Sequence, residues 1–377
     1  MLNTKRIAII GTRGYPYVYS GYETFIRELL GRLNHKFDFH VYCHRQLFEN
    51  KPKKVNNVTL HYLPAIQKKS LSQLSNSILS TMHALFMRYN MILYVNTANG
   101  PLGLLTKIFG TKTAIITDGL EWERPKWEGI GGKYFLWASQ KATKYMDVLI
   151  SDSKEMKKVY EKKFNADSVV IAYGANLVRE ESQTTTDAFI NFCKIHGLKA
   201  RGYYLIVGRL VPDNNAELLI EGFHKSNSTK KLVIVGDTPY HDQWASRVKS
   251  YMSDKIIFTG YIRDQNFLND LFLKSYVYLH GHEYGGTNPS LLTALSKRCA
   301  VLALDTRFSR EVLLNGQYGR FFEKNVQSLR EQIESLEQNE NLVDKLKRSA
   351  PKRIQERYTW EKIAKQYEEL FQITISG

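Results

Sequence analysis

Cysteine is scarce in this sequence, and long apolar runs are absent. Its 377 residues include three cysteines, Cys43, Cys193 and Cys299, and no Cys-x-x-Cys spacing occurs. This argues against a disulfide framework and against a cysteine metal site. No stretch approaches the roughly 18 apolar residues of a spanning helix, and the apolar run near the N-terminus is too short for a signal peptide. We therefore expect a cytoplasmic protein.

Acidic residues are also in short supply. Lys and Arg number 53 against 37 Asp and Glu, which gives a net charge of +16. Such an excess favours a polyanionic partner: a nucleic acid, an anionic membrane surface or a phosphorylated substrate. Zinc-finger and RNP motifs are missing, so we do not expect a nucleic-acid partner. The length and the 43% hydrophobic content indicate two ordinary globular domains.

Short apolar segments alternate with amphipathic ones in two successive series. This alternation predicts an α/β fold with two doubly wound, Rossmann-like domains. The first series contains candidate strands at 6–11, 37–44, 58–64, 91–96, 112–119, 147–153 and 168–175, and the second at 203–210, 231–237, 255–262, 276–282 and 300–305. We predict an N-terminal domain at 1–178, a polar linker at 179–200, a C-terminal domain at 201–357 and a final helix at 358–377.

Ligands of open parallel sheets bind beyond the carboxyl ends of the strands, so the loops that follow strands are the candidate sites. The first such loop, GTRGYPYVYSGYETF at 11–25, offers glycines and a helix N-terminus to a phosphate. It is not a G-x-G-x-x-G fingerprint, and the next strand does not end in an acidic residue, which disfavours a nicotinamide cofactor. The loop is predicted to touch a diphosphate or an acceptor; a purely structural turn is the alternative.

The second loop, TDGLEWERPKWEG at 117–129, places carboxylates beside two tryptophans. Asp118 directly follows a strand, and Glu121, Trp122 and Trp127 come next. Indole rings next to charged groups suit stacking on a sugar ring. A packing loop is the alternative interpretation.

Two loops in the second half have the features of an anion site. Arg209 follows the strand at 203–210, and its planar fork of donors suits a phosphate. In HEYGGTNPSLLTALS at 282–296, glycines lead to Thr287 and Asn288 as helix caps and to Pro289 at the first helical position. The free amides at that helix start predict a diphosphate site. An ion-paired surface arginine and a helix cap without a ligand are the alternatives.

Together these motifs, with SDSKEMKKVY at 151–160 and AYGA at 172–175, resemble the retaining nucleotide-sugar glycosyltransferases of family 4. The resemblance covers the whole chain and is closest to bacterial rhamnosyltransferases of polysaccharide synthesis. It implies the GT-B fold, in which two Rossmann-like domains face each other across a cleft and the C-terminal helix returns to the N-terminal domain.

The resemblance also implies roles for individual residues. It gives Asp118, Glu121 and Arg209 as catalytic. It gives the donor site as Gly14, Arg209, Asn214, Arg263, Glu283, Gly285, Gly286, Thr287, Asn288 and Thr293. It gives the acceptor site as Tyr15, Tyr22, Glu23, Trp122 and Trp127.

Four positions depart from the family pattern. Asn214 stands where many relatives have a lysine, and Asp118 where many have a histidine. Gly285 and Thr293 replace the two carboxylates of a Glu-x7-Glu motif, the second of which binds the ribose hydroxyls. A deoxyribose has no 2′-hydroxyl, so Thr293 favours a dTDP-sugar donor.

The implied activity is that of a hexosyltransferase. It would transfer rhamnose from dTDP-rhamnose to a lipid-linked saccharide, without a cofactor or a metal, since no Asp-x-Asp motif follows a strand. Lysine-rich segments at 51–57, 65–74 and 154–164 are candidates for contact with the inner face of the cell membrane. The alternatives are a UDP- or GDP-sugar donor, a sugar epimerase, and a catalytically silent sugar-nucleotide-binding protein of an assembly system.

Overall fold

Two structural units share the chain, which passes from one to the other twice. The computed structural model describes residues 4–16, 21–68, 71–178, 185–237 and 243–377. Unit 1 comprises Met1–Gly174 together with Trp360–Gly377, and unit 2 comprises Ala175–Thr359. No helix in these described ranges is both long and apolar enough to cross a membrane.

Unit 1 is built on a mainly parallel sheet. In its described part, eight strands lie in the order β3-β4-β2-β1-β5-β6-β7-β8, and only the β3–β4 pair is antiparallel. The strands are β1 (Arg6–Ile10), β2 (Asp38–His44), β3 (Lys54–Val55), β4 (Val58–Leu63), β5 (Met91–Val95), β6 (Lys112–Thr117), β7 (Val148–Ser151) and β8 (Val169–Val170). The last of these is much shorter than the strand predicted at 168–175.

The helices of unit 1 connect these strands. They are α1 (Gly21–Leu33), α2 (Ser72–Met87), α3 (Gly103–Ile108), α4 (Ile130–Tyr145) and α5 (Lys154–Phe164), with 3₁₀ turns at Arg45–Leu47, Thr97–Leu102, Glu121–Glu123 and Pro125–Trp127. α1 leads from β1 to β2 in one direction across the sheet, whereas α2, α3 and α4 lead in the other direction, from β4 through to β7. Because such crossovers are right-handed, α1 covers one face of the sheet and α2–α4 cover the other.

Unit 2 repeats this architecture with a parallel sheet. Its described strands lie in the order β11-β10-β9-β12-β13-β14. They are β9 (Tyr203–Val207), β10 (Lys231–Val235), β11 (Ile256–Gly260), β12 (Val277–His280), β13 (Ala300–Leu304) and β14 (Arg320–Phe322). The helices are α6 (Asp187–His196), α7 (Ala216–His224), α8 (Gln243–Lys249), α9 (Gln265–Lys274), α10 (Pro289–Ser296), α11 (Arg307–Val312), α12 (Val326–Gln338) and α13 (Glu340–Arg353). Short turns lie at Pro212–Asn214 and Leu314–Gly316, and a π-helix at Ile354–Tyr358.

The segment predicted as a polar linker, 179–200, contains α6, so that prediction was wrong for 187–196; residues 179–184 lie outside the described ranges. Thr186 caps α6, since its side chain accepts a hydrogen bond from the Phe189 amide. Asp270 in α9 in turn accepts bonds from the Thr186 amide at 2.8 Å and from its hydroxyl at 2.6 Å. A threonine-rich sequence thus begins a helix of unit 2.

The C-terminal helix α14 (Trp360–Ser376) belongs to unit 1. Its apolar side buries Tyr367 against Phe25 of α1, with ring centroids 5.3 Å apart, and Phe371 against Phe37 at 5.7 Å. These aromatic contacts close the core of unit 1 on the α1 side of the sheet. Both predicted Rossmann-like sheets are confirmed.

Candidate active site

Each sheet has one point where the strand order reverses, and ligands of such sheets bind just beyond it. In unit 1 this point lies between β1 and β5, and in unit 2 between β9 and β12. The loops that follow these four strands and their neighbours hold most of the predicted site residues. Each unit therefore has its own candidate site.

The unit 1 site centres on Asp118, which follows β6. Tyr22 donates a hydrogen bond to its Oδ1 at 2.7 Å, and Tyr173 donates one to its Oδ2 at 2.7 Å. The Asn96 amide, which follows β5, donates to the Tyr22 oxygen at 3.2 Å. Burial raises the pKa of Asp118, although both tyrosine bonds act in the opposite direction. The carboxylate is thus fixed in orientation and more basic than an exposed aspartate.

Glu121 is bonded on both sides. Its Oε1 lies 3.1 Å from Arg124 Nε, and its Oε2 accepts a hydrogen bond from the Trp127 indole at 2.6 Å. The Trp127 ring packs against Phe135 of α4, with centroids 5.0 Å apart. Glu121 is buried and holds the tryptophan loop in shape, which suits a positioning role better than proton transfer.

The remaining predicted acceptor residues differ in their surroundings. Trp122 packs edge-on against Tyr160 and Phe164, with centroids 6.2 and 5.8 Å away. The buried Glu23 carboxylate accepts a hydrogen bond from the Arg13 amide at 3.0 Å and so fixes the loop after β1. Tyr15 is only 2% exposed, and a buried ring cannot stack on a sugar. The structure therefore does not favour Tyr15 as an acceptor-binding residue.

Gly14 lies in the same loop after β1. Its φ is +140°, and a Cβ there would lie 2.6 Å from the Phe48 ring. A side chain at this position would therefore displace Phe48 or distort the loop. The positive φ and the nearness of Phe48 therefore explain why this residue is glycine. The contact of Gly14 with the donor stays a prediction.

Arg209 is the exposed cation of the unit 2 site. It follows β9, and its guanidinium has no hydrogen-bond or ion-pair partner among the residues that the structure describes. Asn214, which replaces the expected lysine, donates a hydrogen bond from Nδ2 to the Arg209 carbonyl at 2.7 Å. Asn214 therefore braces the loop that carries Arg209 instead of supplying a second charge.

Polar contacts join this loop to the one that follows β12. Asn215 donates from Nδ2 to the Gly281 carbonyl at 2.8 Å and to Glu283 Oε2 at 3.2 Å. Lys324 forms an ion pair with the same Glu283 oxygen at 2.6 Å. Glu283 is thus neutralised locally and links the two loops, in addition to any contact with a donor.

The start of α10 has the structure that the sequence predicted. Asn288 is the N-cap and accepts a bond from the Ser290 amide at 2.9 Å, and Pro289 occupies the first turn. Gly285 has a φ of +141°, which side chains rarely adopt, so this turn requires glycine. Gly286 and the buried Thr287 complete the approach to the helix.

Thr293 and Arg263 complete the predicted donor set. The Thr293 hydroxyl donates to the Pro289 carbonyl at 2.9 Å, so it satisfies the helix backbone. Arg263 is exposed and follows β11, which is separated from β9 by β10. Two strand spacings amount to about 10 Å, so the topology does not place Arg263 beside Arg209.

Sequence reasoning missed several residues of these sites: Asn96, Tyr173, Asn215 and Lys324. Asn96 could have been found, because it directly follows a strand that borders the reversal point. Tyr173 lies in the AYGA motif, but only the folded chain brings its hydroxyl to Asp118. In the described part of the chain, no group of three or more His, Cys, Asp or Glu side chains is placed to hold a metal ion.

Known proteins resemble both halves of the chain. Residues 192–353 match the family described as glycosyl transferases group 1, and residues 94–176 match a domain of unknown function, DUF1972. A probable sucrose-phosphate synthase of Thermosipho melanesiensis is 22% identical over 170 residues. The match covers 43% of this chain and only 39% of that protein.

Solved structures match over nearly the whole chain. Sucrose-phosphate synthase from Thermosynechococcus elongatus has a TM-score of 0.82 at 15% identity, with 99% of each chain covered. Anabaena HepE, solved in complex with UDP, has a TM-score of 0.75 at 14% identity, covering 98% of this chain and all of its own. The chain has the GT-B fold.

The two family matches contain the two candidate sites of this GT-B chain. Arg209, Glu283 and the α10 N-terminus lie in the group 1 match, whereas Asp118 and Tyr173 lie in the DUF1972 match. The glycosyl transferase match covers residues 192–353, and the GT-B fold covers nearly the whole chain.

Proposed function

We propose that the protein transfers a sugar from a nucleotide-sugar donor to a hydroxyl group of an acceptor. The observation that carries this proposal is the unit 2 site, where the Arg209 guanidinium has no partner among the described residues and precedes a braced loop. Hydrogen bonds tie that loop to the segment leading into α10. Guanidinium groups and free helix amides are the donors that stabilise a diphosphate. In this proposal unit 2 binds the donor, and unit 1 orients the acceptor.

The chemistry follows from the leaving group. The sugar's anomeric carbon loses its bond to the diphosphate and gains one to the acceptor oxygen. The departing nucleoside diphosphate takes up negative charge, and Arg209 and the α10 amides stabilise that charge in the transition state. We propose retention by attack from the same face, with a diphosphate oxygen accepting the acceptor's proton. Asp118 orients the acceptor hydroxyl and is the alternative general base.

For the donor we propose dTDP-rhamnose. Thr293 has no carboxylate that could accept hydrogen bonds from two ribose hydroxyls. Its own hydroxyl already donates a hydrogen bond to the helix backbone. A nucleotide without a 2′-hydroxyl loses nothing at such a position. HepE has been solved with UDP and with UDP-glucose, so a UDP-sugar is the alternative donor.

For the acceptor we propose a lipid-linked saccharide at the inner face of the cell membrane, in the synthesis of a bacterial surface polysaccharide. The net charge of +16 supports contact with an anionic surface. Transfer of label from dTDP-rhamnose to membrane lipid tests this step. Nucleotide binding without transfer from any nucleotide sugar would instead favour a silent binding protein.

Nucleotide binding tests the donor site. We expect dTDP to raise the thermal unfolding temperature more than UDP or GDP does, because a ligand of the native state stabilises it by mass action. Arg209→Ala should weaken dTDP binding about 10- to 100-fold, the loss of a charged hydrogen bond. Arg348→Ala, which removes an exposed arginine of α13, is the control. Tighter binding of UDP would refute the dTDP assignment, and unchanged binding by Arg209→Ala would refute the anion site.

A further inference from the structure

Helix α2 buries its polar side and exposes its apolar side, the reverse of the usual arrangement. Its buried residues are small and mostly polar: Asn76, Ser77, Ser80, Thr81 and Ala84. Its exposed residues include the large apolar side chains Ile78, Leu79, Met82 and Phe86. A helix that covers a sheet normally turns its apolar side inward. Phe86, at 85% exposed, lacks the cover that an apolar side chain of its size normally has.

The next helices extend this pattern. α3 buries Gly103 and Thr106, whereas Ile108 is 69% exposed and Phe109, just past the helix, is 67% exposed. On α4, Ile130 and Trp137 are also exposed. We call the exposed apolar residues of α2, α3 and α4, together with Phe109, the α2–α4 face.

These helices form one layer. The crossovers place them on the same side of the unit 1 sheet, opposite α1 and α14. All three contact the turn at 97–102, and α3 contacts α4 directly. The Tyr134 hydroxyl of α4 donates to the Ala98 carbonyl of that turn at 2.9 Å. The α2–α4 face is therefore a continuous region of unit 1, and apolar regions of this kind mark interaction surfaces.

Charge identifies the class of partner. The sequence has no aspartate or glutamate between Asn50 and Thr117, and none between Gly129 and Met146. The same helices and their ends carry the basic residues Arg88, Lys107, Lys133, Lys141 and Lys144, and Lys112 begins the strand after α3. The Lys141 ammonium lies 5.9 Å from the centre of the Trp137 ring, so a cation borders the apolar surface directly. Apolar side chains among cations, without acidic groups, complement an anionic lipid bilayer.

The lysine-rich segment at 154–164 is less suited to this role. It forms α5, where Lys157 is paired with Asp167 and Lys158 with Glu155, both at 2.6 Å. Acidic partners of this kind are missing from the α2–α4 face. The 154–164 segment is therefore a weaker candidate for membrane contact than the α2–α4 face.

We propose that the α2–α4 face docks unit 1 on an anionic bilayer, with Phe86, Ile108 and Phe109 entering the lipid interface. Docking would bring the protein to a lipid-linked acceptor. Only this purpose, and not the docking itself, rests on the proposed function. Vesicle binding needs neither donor nor acceptor, so its failure and the failure of sugar transfer can be told apart.

Co-sedimentation with vesicles tests the docking. We expect the protein to bind phosphatidylglycerol–phosphatidylcholine vesicles and to bind pure phosphatidylcholine vesicles at least tenfold more weakly. The double variant Phe86→Ser/Phe109→Ser should lose at least tenfold in affinity for the anionic vesicles, and Lys107→Glu/Lys141→Glu should do the same. The matched control is Ile373→Ser, which removes an equally exposed apolar side chain (74%) on the opposite side of unit 1.

Three results would overturn the proposal. The first is anionic-vesicle binding that Phe86→Ser/Phe109→Ser leaves unchanged. The second is a loss of equal size in Ile373→Ser. The third is a wild-type dimer that binds no vesicles and that the double variant converts to monomer, since a second copy of the chain would then cover the face. A far-UV circular dichroism spectrum and a thermal unfolding curve like those of the wild type would show that the double variant is folded.

Discussion

At the scale of single residues, Asp118 combines burial with a fixed orientation. Two tyrosine hydroxyls bond its two oxygens, and burial still raises its pKa. An aspartate of this kind takes up a proton at a higher pH than an exposed one. Its chemistry therefore depends on pH in a range where ordinary aspartates stay ionised.

Asp118→Asn should lower kcat by about 100-fold, the cost of an acceptor hydroxyl that is held out of position. In the wild type, kcat/KM should fall as the pH drops through the raised pKa of Asp118, because protonation removes a carboxylate oxygen that accepts the hydrogen bond orienting the acceptor hydroxyl. This acid limb should vanish in Asp118→Asn. Tyr173→Phe removes a bond that lowers the pKa, so its acid limb should move to higher pH. Identical pH profiles of the wild type and Tyr173→Phe would contradict this role.

At the scale of elements, two helices have the same kind of N-cap. Comparing them distinguishes the effect of a cap on stability from its effect on ligand binding. Asn288 caps α10 at the proposed diphosphate site, and Asn325 caps α12 by accepting from the Ser328 amide at 2.7 Å. Each cap to alanine should cost about 1 kcal/mol in the free energy of unfolding. Only Asn288→Ala should also weaken dTDP binding. Denaturant titration and calorimetry measure the two effects, and an equal loss of affinity in Asn325→Ala would argue against a site at α10.

The sequence predicted elements better than it predicted their partners. Strand positions and the cap at Asn288 could be derived, because apolar runs and capping residues are local signals. The helix at 187–196 could not, since a threonine-rich start is typical of linkers as well as of caps. The bonds of Asp118 to Tyr22 and Tyr173 join residues far apart in the chain, so no local pattern reveals them. The exposed apolar side of α2 could not be predicted for a related reason, since periodicity does not tell which side of a helix faces the sheet.

At the scale of the whole molecule, the C-terminal helix completes unit 1. Phe371 is fully buried against Phe37 and Phe39, whereas Ile373 on the same helix is mostly exposed. Phe371→Ala should therefore lower the free energy of unfolding by about 3–5 kcal/mol, and Ile373→Ala should change it by less than about 0.5 kcal/mol. Urea unfolding followed by tryptophan fluorescence measures both. Similar losses in the two variants would mean that α14 does not pack as described.

This arrangement has a consequence for synthesis on the ribosome. Residues 175–359 emerge complete before Trp360–Gly377 do, so unit 2 has all of its sequence while unit 1 still lacks a helix. Domains tend to fold as units as they emerge. The later part of the chain can thus finish folding first, and the earlier part must wait with its aromatic residues uncovered until α14 has emerged.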